Sequence, residues 1–290
     1  MDGLLLIDKP TGFTSHDIVN IARKSLSMKT IGHTGTLDPM ATGVLVLCVG
    51  KATKLAKYFV NHDKTYIATI LLGVQTDTDD ITGKTIREID SSQIQLDQVI
   101  QVLKTFTKKQ LQIPPSYSAI KVGGKKLYEF ARKEQKMPTV LPRDIEIYDI
   151  SDIKGVNSSQ NTFAFQATIS CSKGTYIRAL ARDIGLKLGV VGTLSSLRRT
   201  KVGQFHIEDS FTVEDLKLQR THLLDALPYL NMENLVLDDQ NVKQVENGVF
   251  LPTNLFLKLE DTILYDSVNH PLAIYRYDSE KNVMRMSVKL

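Results

Sequence analysis

Residues 145–170 read IEIYDISDIKGVNSSQNTFAFQATIS, and this stretch decides the fold class. Two runs rich in Ile, Tyr, Phe and Thr, 145–150 and 162–170, suit pleated strands. Between them, residues 154–160 are dense in Gly, Asn and Ser, the residues of turns. The pattern predicts two neighbouring strands of an antiparallel sheet. Residues 179–188 then show helical spacing and stop at Gly189. Working outward, the same grammar recurs. LLLI at 4–7 is a buried strand ended by Lys9-Pro10-Thr11-Gly12, and a helix capped by Ser15 or Asp17 runs to Lys24. Strands are predicted at 44–49 and 66–73, and helices at 51–60, 93–104 and 127–134. Pro114-Pro115 opens an extended segment that must be loop or edge strand. Strands come in hairpin-like pairs without a regular β-α-β rhythm, so the class is α+β.

Near Leu227-Pro228 the pattern changes, and a short helix at 241–246, a turn at Asn247-Gly248 and strands at 262–265 and 273–277 follow. A division into 1–228 and a small β-rich domain at 229–290 is expected. The 290 residues are 42% hydrophobic and 23% charged, as in soluble globular chains, which excludes disordered and fibrous classes. No run approaches the ~18 apolar residues of a membrane span. Asp2 and the brevity of 4–7 argue against a signal peptide, so a cytoplasmic protein is expected. Cys48 and Cys171 have neither disulfide nor metal spacing and read as buried thiols. A net charge of +4 permits a polyanionic partner without requiring one. Basic clusters at 108–109, 121–126, 132–133 and 198–201 could assemble a positive groove or simply a solvated surface.

The densest chemical signal is GHTGTLDPMATG at 32–43, three glycines, a histidine and Asp38 between a helix and a strand. Such a loop lets backbone approach a ligand, and Pro39 biases Asp38 toward an extended conformation. By itself Asp38 is more often a turn-capping aspartate than a catalytic one. A phosphate loop is excluded because Leu45 stands where the first glycine of a Gly-Lys motif ending at Lys51 belongs. No dinucleotide glycine pattern follows 46–50. Ile81 and Thr82 spoil a calcium-loop match at 77–88, and the histidines lack zinc spacing. SCSKGTYIR at 170–178 ends a strand and opens a helix. Arg178 there is either a surface ion-pair residue or a buried guanidinium that holds a carboxylate ionised.

Taken together, LLLIDKPTGFTS (4–15), GHTGTLDPMATG (32–43), DKTY (63–66), IPPSYSAIKVGGKKLYEFAR (113–132), CSKGTYIR (171–178) and LRRT (197–200) resemble, in order, the motifs of the TruB family of pseudouridine synthases. The resemblance spans nearly the whole chain. It implies isomerisation of uridine 55 in the tRNA T-loop without cofactor or metal. It also implies a large mixed, mostly antiparallel sheet with flanking helices and a central RNA-binding cleft, a C-terminal PUA-like domain and a monomer. Carried over by residue, it makes Asp38 the essential carboxylate, Arg178 its ion-pair partner, and Tyr66 the ring that stacks on the flipped base and assists proton removal. His33, Tyr176 and Leu197 match substrate-contacting positions, although alone Leu197 reads as core and His33 as a loop hydrogen-bonder. Lys9 and Pro10 would shape the cleft wall, and Asp80 is either an active-site contact or a solvated turn. Lys125, Lys126, Arg132, Arg198 and Arg199 are candidates for phosphate contacts. Beyond Pro228 the match to the family is faint.

Two other classes fit parts of the pattern. A protein that captures and opens the tRNA elbow without chemistry would survive loss of Asp38. A glycoside hydrolase would release free uracil, but one convincing carboxylate is visible where such enzymes commonly use two.

Overall fold

A computed structural model describes residues 2–118, 120–132, 138–156 and 159–290. The described residues build a nine-stranded mixed sheet, flanked by helices, and a five-stranded sheet near the C-terminus. The α+β class with a large, mostly antiparallel sheet is therefore borne out. In the large sheet the strands run in the order Gly3–Lys9, Thr42–Val49, Gly192–Val202, Lys64–Leu72, Phe163–Cys171, Arg143–Val156, Lys109–Gln112. Every neighbouring pair is antiparallel except Thr42–Val49 with Gly192–Val202.

That exception positions the site. The parallel pairing covers only Thr42 and Gly43, opposite Arg198 and Arg199. Further along, the strand Thr42–Val49 pairs instead with the short strand Ile31–His33, which faces Leu47, Cys48 and Val49. Between the two pairings the sheet forks, and residues 34–41 lie at the fork. Gly43, at φ +107, has no room for a side chain, since a Cβ there would overlap the carbonyl of Arg199.

The strand Gly3–Lys9 is buried on both faces. Leu5 and Ile7, with Leu45 and Leu47, pack under the helix Ser15–Ser25. Leu4 and Leu6 point the other way, into a cluster with Phe59, Phe205 and, from the second sheet, Ile263, Ile274 and Val288. The third cluster lies under the helix Ile177–Lys187 and gathers Ala68, Ile70, Phe165, Ile169, Leu180 and Ile184. This helix sits unusually close to its strand because Gly185 and Gly192 face each other. A Cβ on either would strike opposing backbone. The close approach brings the start of the helix, with Arg178, against the forked sheet.

Several boundaries differ from expectation. The helix after the first strand is capped by Thr14, not Ser15 or Asp17. Thr14 accepts from the Asp17 amide while Asp17 accepts from the Thr14 amide, a reciprocal box. Ser15 is buried and used elsewhere. The turn-rich stretch at 154–160 is strand through Val156, because register shifts between Ile147/Asp149 and Ser151/Lys154 keep it paired with Phe163–Cys171. The segment expected to be helical from 51 begins as a 3-10 turn at Gly50–Leu55 and becomes α-helical only at Ala56–Phe59. Gln95 caps Leu96–Lys104, so that helix starts three residues later than predicted. In the tail, Glu233–Val236, Thr262–Tyr265, Pro271–Asp278, Val283–Lys289 and Leu251–Pro252 form the smaller sheet around Tyr275 and Leu264. Among the described residues no helix is long and apolar enough to cross a membrane.

Candidate active site

Almost every residue of the 34–41 loop has its backbone tied down. The Thr34 amide donates to the Val46 carbonyl at 3.1 Å. The buried Ser15 hydroxyl accepts from the Leu37 amide at 2.8 Å and lies 3.2 Å from its carbonyl. The Ala41 amide closes a turn on the Asp38 carbonyl, and the Gly12 amide donates to Pro39. From the end of the first strand, Lys9 sends its ammonium to the carbonyls of Phe13 (2.7 Å), Pro10 (3.1 Å) and Pro39 (3.4 Å). Lys9 is fully buried, and burial pushes its amine down to about 8, with nearby Asp38 opposing the fall. A loop whose amides and carbonyls are committed in this way holds the intervening carboxylate at a defined place.

Arg199 fills the wedge of the sheet fork. Its guanidinium donates to Val44 (2.8 Å), Thr36 (3.3 Å) and Gly35 (3.3 Å), and the residue is 2% exposed. Its burial argues against a phosphate-contacting role for Arg199, since its donors face carbonyls of the loop and of the neighbouring strand rather than the surface. Strand alternation carried the warning: Leu197 and Arg199 share one face while Arg198 takes the other. Arg198 forms a two-point pair with Asp8, at 2.7 and 3.1 Å. The side chains of Lys125, Lys126 and Arg132, and the whole of Lys133, lie outside the described residues.

Asp38 projects from the loop with its side chain 36% exposed, toward Arg178, which is 6% exposed. Arg178 Nε stands 2.9 Å from Asp38 Oδ2. Its Nη1 donates to the Thr78 carbonyl at 3.0 Å and its Nη2 to the Tyr117 carbonyl at 2.9 Å. Asp80 Oδ2 lies 3.6 Å from Nη1. Asp80 is buried and accepts from the hydroxyls of Thr78 and Thr82 and from the Thr82 amide, so it is no solvated turn. Burial nevertheless pushes the Asp38 carboxyl above the ordinary aspartate range, with Arg178 pulling it down and Asp80 adding to the rise. The arginine offsets part of the desolvation cost rather than lowering the carboxyl below its usual value.

These groups open onto a cleft of about 510 Å³ whose walls include Asp38, Tyr66, Tyr117, Tyr176, Arg178 and Leu197. The volume falls in the range of small-ligand sites. Thus five sequence candidates, from two strands, one loop and the start of one helix, meet in one cleft. His33 does not line it. It stands on Ile31–His33, one residue before Thr34, with Nδ1 buried and unpartnered among the described residues. Burial and the nearby Arg199 charge push its imidazole pKa down. Tyr66, buried on the sheet, has its phenol pushed up by burial, with Arg199 opposing. Lys64 reaches the same cleft with its amine brought down to about 8, chiefly by burial, and donates to the carbonyls of Val60 and His62. Sequence reasoning did not single out Lys64 or Gln112, and it gives Ser15 only as a helix cap. Only the position of DKTY before a strand hinted at Lys64. Among the described residues no group of three or more His, Cys, Asp or Glu could hold a metal ion.

Residues 23–177 match the N-terminal domain of TruB family pseudouridylate synthases, and residues 178–232 match the tRNA pseudouridylate synthase B C-terminal domain. The seam between the two matches falls between Tyr176 and Arg178, through the cleft. A protein of Acholeplasma laidlawii called tRNA pseudouridine synthase B is 43% identical over 283 residues, covering 97% of this chain and 98% of that one. One of the same name from Bacillus subtilis is 42% identical over 268 residues, covering 87% and 84%. Among solved structures, a Cbf5-Nop10-Gar1 complex superposes with a TM-score of 0.67 at 24% identity, covering 99% of this chain and 83% of that chain. At that identity the likeness concerns the fold alone.

Proposed function

The chain belongs to the TruB family of pseudouridylate synthases, and we propose that it acts on the uridine at position 55 of the tRNA T-loop with Asp38 as the essential carboxylate. It is a tRNA pseudouridine synthase, an isomerase that converts uridine to pseudouridine. The observation that carries the site assignment is the ion pair of 2.9 Å between Arg178 and Asp38 at the wall of a cleft lined by Tyr66 and Leu197.

The reaction breaks the N1–C1′ bond, turns the uracil over and joins C5 to C1′. A proton leaves C5 and N1 ends up carrying one, so the net change needs no electron or group carrier. The base must first leave its stack. Tyr66 and Leu197 offer the apolar faces between which a flipped uracil is held. Asp38, partly open to the cleft, then meets the ribose or the ring. Attack at C1′, attack on the ring and removal of the 2′ proton each require the ionised carboxylate. Arg178 keeps it charged and aimed by bonding to the backbone of two other segments. The Tyr66 phenol lies beside Arg199, although burial raises its pKa on balance; a part in removing the C5 proton is assigned to it from its place on the cleft wall. Tyr176 is assigned to the nucleotide's surroundings, and His33, which precedes the cleft-lining Thr34, to supporting the loop behind them.

The folded T stem-loop would be recognised by shape and phosphate contacts. The C-terminal sheet is assigned a PUA-like RNA-binding role, and the enzyme is taken to act as a monomer in the cytoplasm, where tRNA is found. Asp38→Asn tests the core of the proposal. The variant should bind a T-stem-loop RNA as the wild type does and release no tritium from [5-3H]uridine. Turnover near the wild-type rate would remove Asp38 from the mechanism.

A further inference from the structure

Gln112 is the last residue of the edge strand Lys109–Gln112, and its side chain is almost wholly buried, at 4% exposure. Leu111 beside it faces solvent. Among the described residues the inward carboxamide pairs with backbone and with no other side chain. Its Oε1 accepts from the Tyr176 amide at 2.9 Å and its Nε2 donates to the Tyr176 carbonyl at 3.1 Å. A carboxamide that both accepts from and donates to one residue's backbone replaces a strand neighbour. Tyr176 precedes the helix Ile177–Lys187 in an extended conformation; its carbonyl already accepts from the Leu180 amide at 3.0 Å, and Gln112 adds a second donor there while engaging the amide.

Two further bonds bind the same region. Arg178 Nη2 donates to the Tyr117 carbonyl at 2.9 Å, and Arg182 Nη2 to the Ile113 carbonyl at 2.9 Å. Arg182 also pairs with Asp79 at 3.0 Å. The root of the long segment between Gln112 and Arg143 is thus fastened to one helix at three points. Of these, the Gln112 clamp acts directly on a residue of the cleft, two positions before the guanidinium that holds Asp38.

We propose that Gln112 is a positioning residue for pseudouridine formation: its two bonds to the Tyr176 backbone set the Tyr176 ring and the entry of the helix, and through that entry the direction of Arg178 toward Asp38. This rests on the reading of Asp38 and Arg178 given above. Gln112 is buried and stands behind the cleft wall, so its loss acts on the chemical step rather than on RNA capture. A displacement of about 1 Å at a reacting group costs roughly 100-fold in rate. One residue removed from the guanidinium, Gln112→Ala should lower the single-turnover rate on saturating T-stem-loop RNA by about 10- to 100-fold. The Kd for the RNA should move by less than about threefold.

Because removing a buried carboxamide can unfold a chain, Gln112→Glu provides a second arm. When protonated, the new carboxyl copies the carboxamide, accepting through one oxygen and donating through the other. When ionised, it presents an anion to the Tyr176 carbonyl. The charged and titratable groups around it are Arg143 opposite on the paired strand, Asp144 beside Arg143, the Tyr176 phenol, Arg178, and Arg182 at Ile113. The rate of Gln112→Glu relative to wild type at the same pH should be depressed at pH 8 and recover toward pH 5.5, while its thermal midpoint stays above the assay temperature. Taking the ratio removes the titration of Asp38 itself. The proposal is overturned if Gln112→Ala reacts within twofold of wild type, if its defect lies in Kd alone, or if the ratio for Gln112→Glu is the same at both pH values. Wild type and Asp38→Asn run in parallel separate the two levels. A wild type that makes no pseudouridine in this RNA, or an active Asp38→Asn, strikes the underlying assignment. An active wild type with an unimpaired Gln112→Ala strikes only the clamp.

Discussion

Replacing Arg178 with Met removes the charge and keeps much of the side chain's length. Its guanidinium stands 2.9 Å from Asp38 and 3.6 Å from Asp80, and it is nearly buried. Two unit charges about 4 Å apart are coupled by ~4 kcal/mol at an effective dielectric of 20. Asp38 is about one-third exposed, so solvent screening reduces the coupling to roughly 2 kcal/mol. Burial already holds the Asp38 carboxyl above the ordinary range, and Asp80 pushes the same way. Without the arginine the upward influences lose their main opponent, with the Lys9 charge left to pull the other way, and the carboxyl titrates at still higher pH. The sign follows directly. On the proposed role of Asp38 the ionised form is the active one, so the acid limb of the rate profile moves to higher pH, and raising the pH recovers activity. At a pH on that limb, 2 kcal/mol corresponds to about 30-fold less ionised enzyme. Single-turnover pseudouridine formation in Arg178→Met and wild type from pH 5 to 8.5, with binding measured separately, tests this. An acid limb that coincides with wild type, with the same loss at every pH, would refute the electrostatic role and leave only alignment.

Arg199→Met leaves the carbonyls of Gly35, Thr36 and Val44 without their donors. A loss of about 3 kcal/mol is expected, read as a fall in thermal midpoint of roughly 5–10 °C. The salt dependence of RNA affinity should not change, and a shallower slope would return Arg199 to the phosphate-binding set. Gly43→Ala forces a Cβ into the Arg199 carbonyl at φ +107, and should cost more than about 4 kcal/mol. A melting curve like that of the wild type would show that the forked sheet is not as drawn. Thr14→Ala breaks the exposed capping box. It should remove about 1 kcal/mol while leaving turnover unchanged, and an activity loss beyond that stability change would implicate the helix start in the chemistry.

Much of the site could be read along the chain because its chemistry is concentrated in short blocks. The glycines around Asp38 announce a close backbone approach, and the strand-to-helix transition at 170–178 announces a residue aimed beyond a sheet edge. The burial of Arg199 is not legible along the chain, because a run of basic residues looks alike whether its members face solvent or a carbonyl-lined wedge. Asp80 was ambiguous for the same reason: an acidic loop reads as solvated until something packs over it. Gln112 carried no signal at all, since a glutamine on an edge strand becomes a clamp only when a helix start 64 residues away brings its backbone within reach.

Local interactions determined what the sequence alone could state. Side-chain periodicity, turn residues and caps act over a few positions, so the α+β class, most elements and the ordered motifs follow from neighbours along the chain. The pairing of Arg178 with Asp38, the burial of Arg199 and Lys9 and the upward push on the Asp38 carboxyl depend on which strands lie side by side and where the sheet forks. Those are long-range matters of packing and desolvation. The charge state and partners of a group are set by what surrounds it in space, and no window along the chain contains that.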